Sequence, residues 1–302
     1  MVGATLLIVE ALSADETISA SLQSPSEYLA ASRSALQRSD EVRIAGANAR
    51  SGRLGTVTRK AGVKVSPEKV LQSFNTWAYK REQPADPELM LQVIAESMRL
   101  NSPVPFVLYW GKGPRCRLDE PDIHCLDYLA TLARRVRDAY QPGAAIKLIF
   151  TDTHAGLNGH SKQSSDEYFG AIDTAAHERG FESCWLSQLV QAATANGASE
   201  PADAAIPEAT LSRLEACAAK WYRGEGTAVD GAARYYRMSL VEKQAVKAAF
   251  PNSIFVTFNG SEFRSLFPDQ MPIFYMYSLR RGMSVKPWFL PAPEMPLQAC
   301  TG

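Results

Sequence analysis

Four histidines in 302 residues, at positions 124, 154, 160 and 177, leave little material for a metal centre. His154 and His160 are six apart on a glycine-containing loop, whereas zinc sites use closer ligand pairs together with further His, Cys or carboxylate donors. Asp152 and His154 would suit part of a facial iron triad, but no histidine follows His177, itself on a predicted helix, to complete one. No metal is expected. Cysteine is also sparse: five residues, at 116, 125, 184, 217 and 300, odd in number and without a CxxC pair. That argues against a disulfide framework and for a reducing compartment, and Cys125 and Cys184 are expected in the core. Charge of one sign is missing as well, since 32 Lys and Arg balance 32 Asp and Glu. No overall field draws the chain to nucleic acid or to an acidic membrane. No apolar stretch reaches the roughly 18 to 20 residues that span a bilayer. The opening MVGATLLIVEALSADET has one short apolar run but neither a basic n-region nor a cleavage site, so a cytoplasmic location is expected. A GxSxG elbow and a GxxxxGK[ST] loop are both missing, as are internal repeats and low-complexity tracts.

What is present is enough apolar residue, 46% against 21% charged, to bury a large core. The organisation changes near residue 65. Residues 1–65 read as an N-terminal extension: a helical lead-in, then RIAGANARSGRLGTVTRKAG at 43–62, which lacks periodicity. That run is either a solvated linker or a lid bringing Arg50, Arg53 or Lys60 onto an anionic ligand. Residues 66–302 read as one catalytic domain.

Within it the punctuation is clear. Ser66, Pro67 and Glu68 open a helix with Val70, Leu71, Phe74 and Trp77 on one face, and Asp86 with Pro87 opens a second through Leu91, Ile94 and Met98. PVPFVLYW at 103–110 is a buried strand. A long helix begins near Asp119 or Asp122 and turns Leu126, Leu129, Leu132, Val136 and Tyr140 inward, and AAIKLIF at 144–150 is a second strand. Together they form a βαβ unit with parallel neighbours and a right-handed crossover. A helix capped by Ser164 or Ser165 follows. FESCWLSQLV reads as a strand or a helix start, and helices run through LSRLEACAAKWYRG and LVEKQAVKAAF. NSIFVTFNG returns to β structure, and MPIFYMYSLRRGMSVKPWFLP reads as a C-terminal hairpin turning at Arg280-Arg281-Gly282. The fold class is therefore α/β, a Rossmann-like, mostly parallel sheet flanked by helices with a β-hairpin at its end.

In such sheets ligands sit outside the carboxyl ends of the strands. Two loops occupy those ends, GKGPR at 111–115 and TDTHAGLNGH at 151–160. Lys112 and Arg115 offer cations beside glycine backbone, which suits a phosphate or carboxylate. Asp152 and His154 can serve as an acid–base pair, the carboxylate orienting an imidazole that titrates near neutrality. The same residues also fit a capping Asp and a packed His. Asn158 and His160 on this loop, with Arg280, Arg281 and Lys286 near the predicted hairpin tip, are candidates for binding substrate.

The order of these landmarks resembles that of the isocyanide (isonitrile) synthases. FVLYWGKGPR parallels that family's strand ending in a lysine- and proline-containing loop. YQPGAAIKLIF and TDTHAG parallel its Y-x-PGA step and SDG-H strand end, VEKQAVKAAFPNSIFVTFN its late E…FP-x-SI element, and KPWF its closing TPWH. The resemblance covers about residues 68–290. It implies a Rossmann-like fold and an enzyme of specialised metabolism, a transferase or lyase. The implied reaction condenses an amino-acid amine with a sugar phosphate, ribulose 5-phosphate, with no metal or redox cofactor. By position, Lys112 matches the loop lysine, Asp152 and His154 the strand-end acid and histidine, and Lys286 stands near the closing motif. The departures are Gly-Pro-Arg after the lysine where the family has Ser-Pro-Asn, Thr153 for a glycine, Asn259 for a late histidine and Phe289 for the last one. These departures are compatible with a divergent member building another nitrogen functional group, or with a non-catalytic amino-acid-binding protein on the same fold.

Overall fold

A computed structural model describes residues 65–76, 79–111, 117–197 and 205–276. The lead-in, the basic stretch at 43–62, Trp77, Lys112, Arg115 and the cations at 280, 281 and 286 lie outside the described residues.

Helix α1 (Pro67–Phe74) starts where Ser66 accepts the Lys69 N–H, and helix α2 (Pro87–Arg99) starts after Asp86. Proline at the first helical position carries no N–H to leave unpaired, which is why both helices begin there. Strand β1 (Val104–Trp110) leads to α3 (Glu120–Ala139), with Asp119 at its N-cap, and then to β2 (Ala144–Phe150). Two short 3-10 turns, Asp152–His154 and Gly156–Asn158, precede α4 (Lys162–His177). The cap of α4 is Ser161, whose hydroxyl accepts the Ser164 N–H, so the helix begins earlier than Ser164 or Ser165 would have it. FESCWLSQLV is both things its sequence suggested: β3 (Glu182–Trp185) runs directly into α5 (Leu186–Ala195). Helices α6 (Glu208–Trp221) and α7 (Ala228–Ala249) lead to β4 (Ile254–Thr257), a 3-10 segment (Ser261–Leu266) and β5 (Ile273–Tyr275).

All the strand pairings of this five-stranded sheet are parallel, and its order is β3-β2-β1-β4-β5. The chain steps outward from β1 to β3 and then returns to β1's other side, which makes the β1/β4 junction the topological switch point. The arm expected to begin a hairpin is β5, a parallel strand, and beyond it Met276 makes one antiparallel bridge to Lys80. The turn and the return arm lie outside the described residues.

Alternation along each strand divides the molecule. Phe106, Leu108 and Trp110 of β1, Ile146, Leu148 and Phe150 of β2, and Val256 of β4 join one apolar cluster with residues of α1 to α4. Phe74 meets Phe106 and Phe274 edge-on at 5.3 Å, and Phe150 stacks on Phe169 at 5.0 Å. Leu126, Leu129, Leu132 and Val136 are buried here as the spacing predicts. Cys125 is buried with them, whereas Cys184 is only half-buried because β3 is the sheet's edge strand. Val107, Tyr109, Thr151 and Thr257 alternate to the opposite face. That side lies toward α7, which packs on both α5 and α6 and brings Glu242 to the loop after β2.

Candidate functional site

The loop after β2 is built from the backbone outward. Thr151 N–H donates to the carbonyl of Trp110 at 2.9 Å, tying the loop's first residue to the end of β1. The His154 N–H then donates to Thr151 O at 3.1 Å and the His160 N–H to Ala155 O at 3.1 Å, closing two tight turns in sequence. Gly159 sits at φ 74, in the left-handed region, and a Cβ there would lie 2.7 Å from the Arg223 Cβ. Glycine is required on both counts. Arg223 N–H also donates to Leu157 O at 2.9 Å, so the back of the loop is fixed against the residues following α6.

The front of the loop faces α7. Ala232, Tyr235, Ser239, Glu242 and Val246 recur every three or four residues and so share one side of that helix. Glu242 is 3% exposed, a carboxylate in an otherwise uncharged stripe. Its two oxygens take different partners on the loop: Thr153 Oγ1 donates to Oε1 at 2.7 Å, and His154 Nε2 lies 2.7 Å from Oε2. The imidazole is 15% exposed, and the Tyr235 ring lies 5.0 Å from it. Burial, the Glu242 carboxylate and Cys217 hold the Tyr235 phenol above its ordinary pKa, so it stays protonated. From the sheet side, Tyr109 approaches the same carboxylate. Burial first, then Glu242 and Tyr235, push its phenol well above the usual value. Its hydroxyl is sealed from solvent with no hydrogen-bond partner.

The carboxylate that orients His154 is therefore Glu242 and not Asp152. Asp152 Oδ1 instead accepts the Ser187 N–H at 3.0 Å, in the first turn of α5. The physical reason lies in β3: it enters α5 without a loop, and a helix start needs acceptors for its free N–H groups. Asp152 and His154 keep their places at the strand end but have different partners. Asn158 and His160 follow on the same loop, half-buried. Among the described residues, no group of three or more His, Cys, Asp or Glu side chains converges as a metal cradle.

Asn259 stands at the other side of the switch point, just beyond β4, where its N–H donates to Thr257 Oγ1 at 3.1 Å. Leu108 pairs with Val256, which brings the ends of β1 and β4 side by side. The site thus comprises the carboxyl ends of β1, β2 and β4, capped by the Glu242 face of α7. Glu242, Tyr109 and Tyr235 were not among the residues singled out from sequence, and Thr153 was noted only as a departure from the family's glycine. Glu242 carried a legible signal, a lone acid in a buried helical stripe and the glutamate of the VEKQAVKAAFPNSIFVTFN segment. The two tyrosines carried none, because aromatic residues in a strand or a helix read as core.

No family model matches the chain, and no curated protein matches its sequence. Solved structures do. The PvcA protein from Pseudomonas aeruginosa superposes with a TM-score of 0.55 at 18% identity, covering 74% of this chain and 87% of its own. A tyrosyl-tRNA synthetase from Archaeoglobus fulgidus, complexed with L-tyrosine, gives 0.40 at 14% identity over 70% of this chain and 64% of its own. The likeness to PvcA establishes a shared α/β fold, the one that the resemblance to the isonitrile synthases implied.

Proposed function

We propose that the protein is an isonitrile-synthase-like biosynthetic enzyme that functionalises the amine of an amino acid, with a sugar phosphate such as ribulose 5-phosphate as carbon donor. The observation that carries this reading is the His154–Glu242 pair at 2.7 Å, held at the strand end where the family motif SDG-H has its histidine. The fold shared with PvcA is consistent with it.

The chemistry follows from the hydrogen bonding. A carboxylate acceptor on Nε2 selects the tautomer protonated there and leaves the Nδ1 lone pair as the base. An amino acid enters as its ammonium form and becomes a nucleophile only after losing a proton, and His154 Nδ1 takes that proton. Glu242 is a positioning residue: it stabilises the resulting imidazolium, as a buried carboxylate does in a Ser-His-Asp triad. Thr153, where the family has glycine, supplies the second hydrogen bond that keeps Glu242 in place. Lys112 and Arg115, which follow Gly111 in sequence, are assigned to the phosphate. Asn158, His160, Arg280, Arg281 and Lys286 are assigned to the remaining polar groups of the two substrates.

A second reading rests on Asn259, an amide where the family carries a histidine. An amide transfers no proton at neutral pH, so the site could hold an amino acid without completing the reaction. The test is incubation of metal-free protein with ribulose 5-phosphate and each amino acid in turn, followed by mass spectrometry. A product with one extra carbon on nitrogen supports the enzyme. Amino acid that binds but is never consumed supports the binding protein.

A further inference from the structure

Buried polar atoms in folded proteins almost always have partners, and leaving one unpaired costs about 1–3 kcal/mol. Tyr109 breaks that rule at a particular place. It is the penultimate residue of β1, beside the topological switch point, on the sheet face that looks toward α7. Phe255 packs edge-on against its ring at 5.1 Å and fixes its direction. Its hydroxyl is enclosed without a hydrogen bond, within electrostatic reach of Glu242 and Tyr235.

From this juxtaposition we infer that the Tyr109 hydroxyl is a ligand-binding group, donating its hydrogen bond to the neutral carbonyl oxygen of a small polar metabolite bound against His154. The inference rests on the reading of His154 and Glu242 as the reactive pair and names what faces them. The phenol remains protonated through the physiological range, so it acts as a donor. Two sources could supply an sp2 oxygen: the carboxylate of the amino acid, or the ketone of the open-chain sugar phosphate. Glu242 decides between them. A second carboxylate beside a buried one meets like-charge repulsion at low dielectric, while a ketone oxygen carries no net charge and meets none. As the amine nitrogen adds to the ketone carbon, a C–N bond forms, the C=O π pair moves onto oxygen, and the ammonium proton has gone to His154. Tyr109 then faces an oxygen gaining negative charge, so its bond strengthens along the reaction.

The experiment compares wild type with Tyr109→Phe in three arms. Without ligand, the variant should melt at the wild-type temperature or above it, because the hydroxyl has no partner to lose; a melting point several degrees lower would reveal a structural partner and overturn the assignment. With ribulose 5-phosphate alone, wild type should be stabilised against heat and the variant's apparent affinity should be weaker by roughly three- to tenfold. With amino acids alone, the two proteins should behave alike; a defect confined to this arm would overturn the ketone assignment in favour of the carboxylate. Absence of any ribulose 5-phosphate effect on wild type also overturns it. Where a product forms, the variant's turnover should fall by roughly a hundredfold. If no product forms but the ribulose 5-phosphate effect is present and Tyr109-dependent, the proposed reaction fails and this assignment stands. Product formation with an unchanged variant sinks this assignment alone.

Discussion

Alternate residues of strand β1 meet very different company. Phe106, Leu108 and Trp110 enter the apolar layer under α1 to α4, where the Trp110 indole belongs to a closed chain of hydrogen bonds. Trp110 Nε1 donates to the Tyr168 hydroxyl at 3.2 Å, which donates to Asp122 Oδ1 at 3.0 Å. Tyr109, one residue away and on the other side of the pleat, lies within electrostatic reach of the Glu242 carboxylate and the Tyr235 phenol, and its own buried hydroxyl has no hydrogen-bond partner. The alternation of the strand thus separates a face that packs the core from the face that carries the candidate site. At this strand the two sides differ in polar satisfaction: the Trp110–Tyr168–Asp122 chain is complete, whereas the Tyr109 hydroxyl is unpaired and is available to a ligand.

The comparison breaks most readily at its reactive end. His154→Ala should lower turnover by roughly 10²- to 10⁴-fold, the range for a lost general base. Glu242→Gln should cost nearly as much, since an amide can leave the imidazole in the wrong tautomer. Both variants should still fold by circular dichroism, and steady-state kinetics would expose the error if either kept wild-type turnover. Phe169→Ala tests the opposite face. Its ring is fully buried and stacks on Phe150, so the change should remove about 3–5 kcal/mol of stability. Denaturant unfolding reads this, and a loss below about 1 kcal/mol would mean that the layer under α4 is not the structural face.

Much of this division is legible in sequence. Proline and serine at helix starts, apolar runs of seven residues and the PGA step before AAIKLIF announce α1, α2, β1, α3 and β2, because each obeys a local rule of capping or period. The loop 151–160 is legible for the same reason, as a strand end with two glycines. The partner of His154 is not local: Glu242 is 88 residues away, and only the packing of α7 over the sheet brings it there. Asp152 was the nearer carboxylate in sequence, yet the abrupt β3-to-α5 junction drew it to the Ser187 N–H. Sequence neighbours share a loop, but tertiary packing selects which of them touch.

Thr153 sharpens the comparison with a smaller effect. Its hydroxyl holds the Glu242 oxygen that His154 does not use, and a hydrogen bond to a charged group is worth about 1.5–3 kcal/mol. Thr153→Ala should lower stability by part of that and reduce turnover by roughly tenfold, through a Glu242 less well fixed. Unchanged turnover would assign the bond to the fold alone. The smallest effect concerns Cys184, on the edge strand. Burial pushes its thiol up to about 11, so at neutral pH almost none is thiolate, and the thiolate is the form that reacts. Alkylation by iodoacetamide at pH 7.5 should therefore be slower at Cys184 than at an unperturbed thiol, rising as pH approaches 11. Peptide mass mapping after timed alkylation measures this directly. Rapid labelling at neutral pH would place Cys184, which lies in register with Ile149 and Tyr109 on the α7 side of the sheet, in a polar, activating environment and would mean that burial does not govern its thiol.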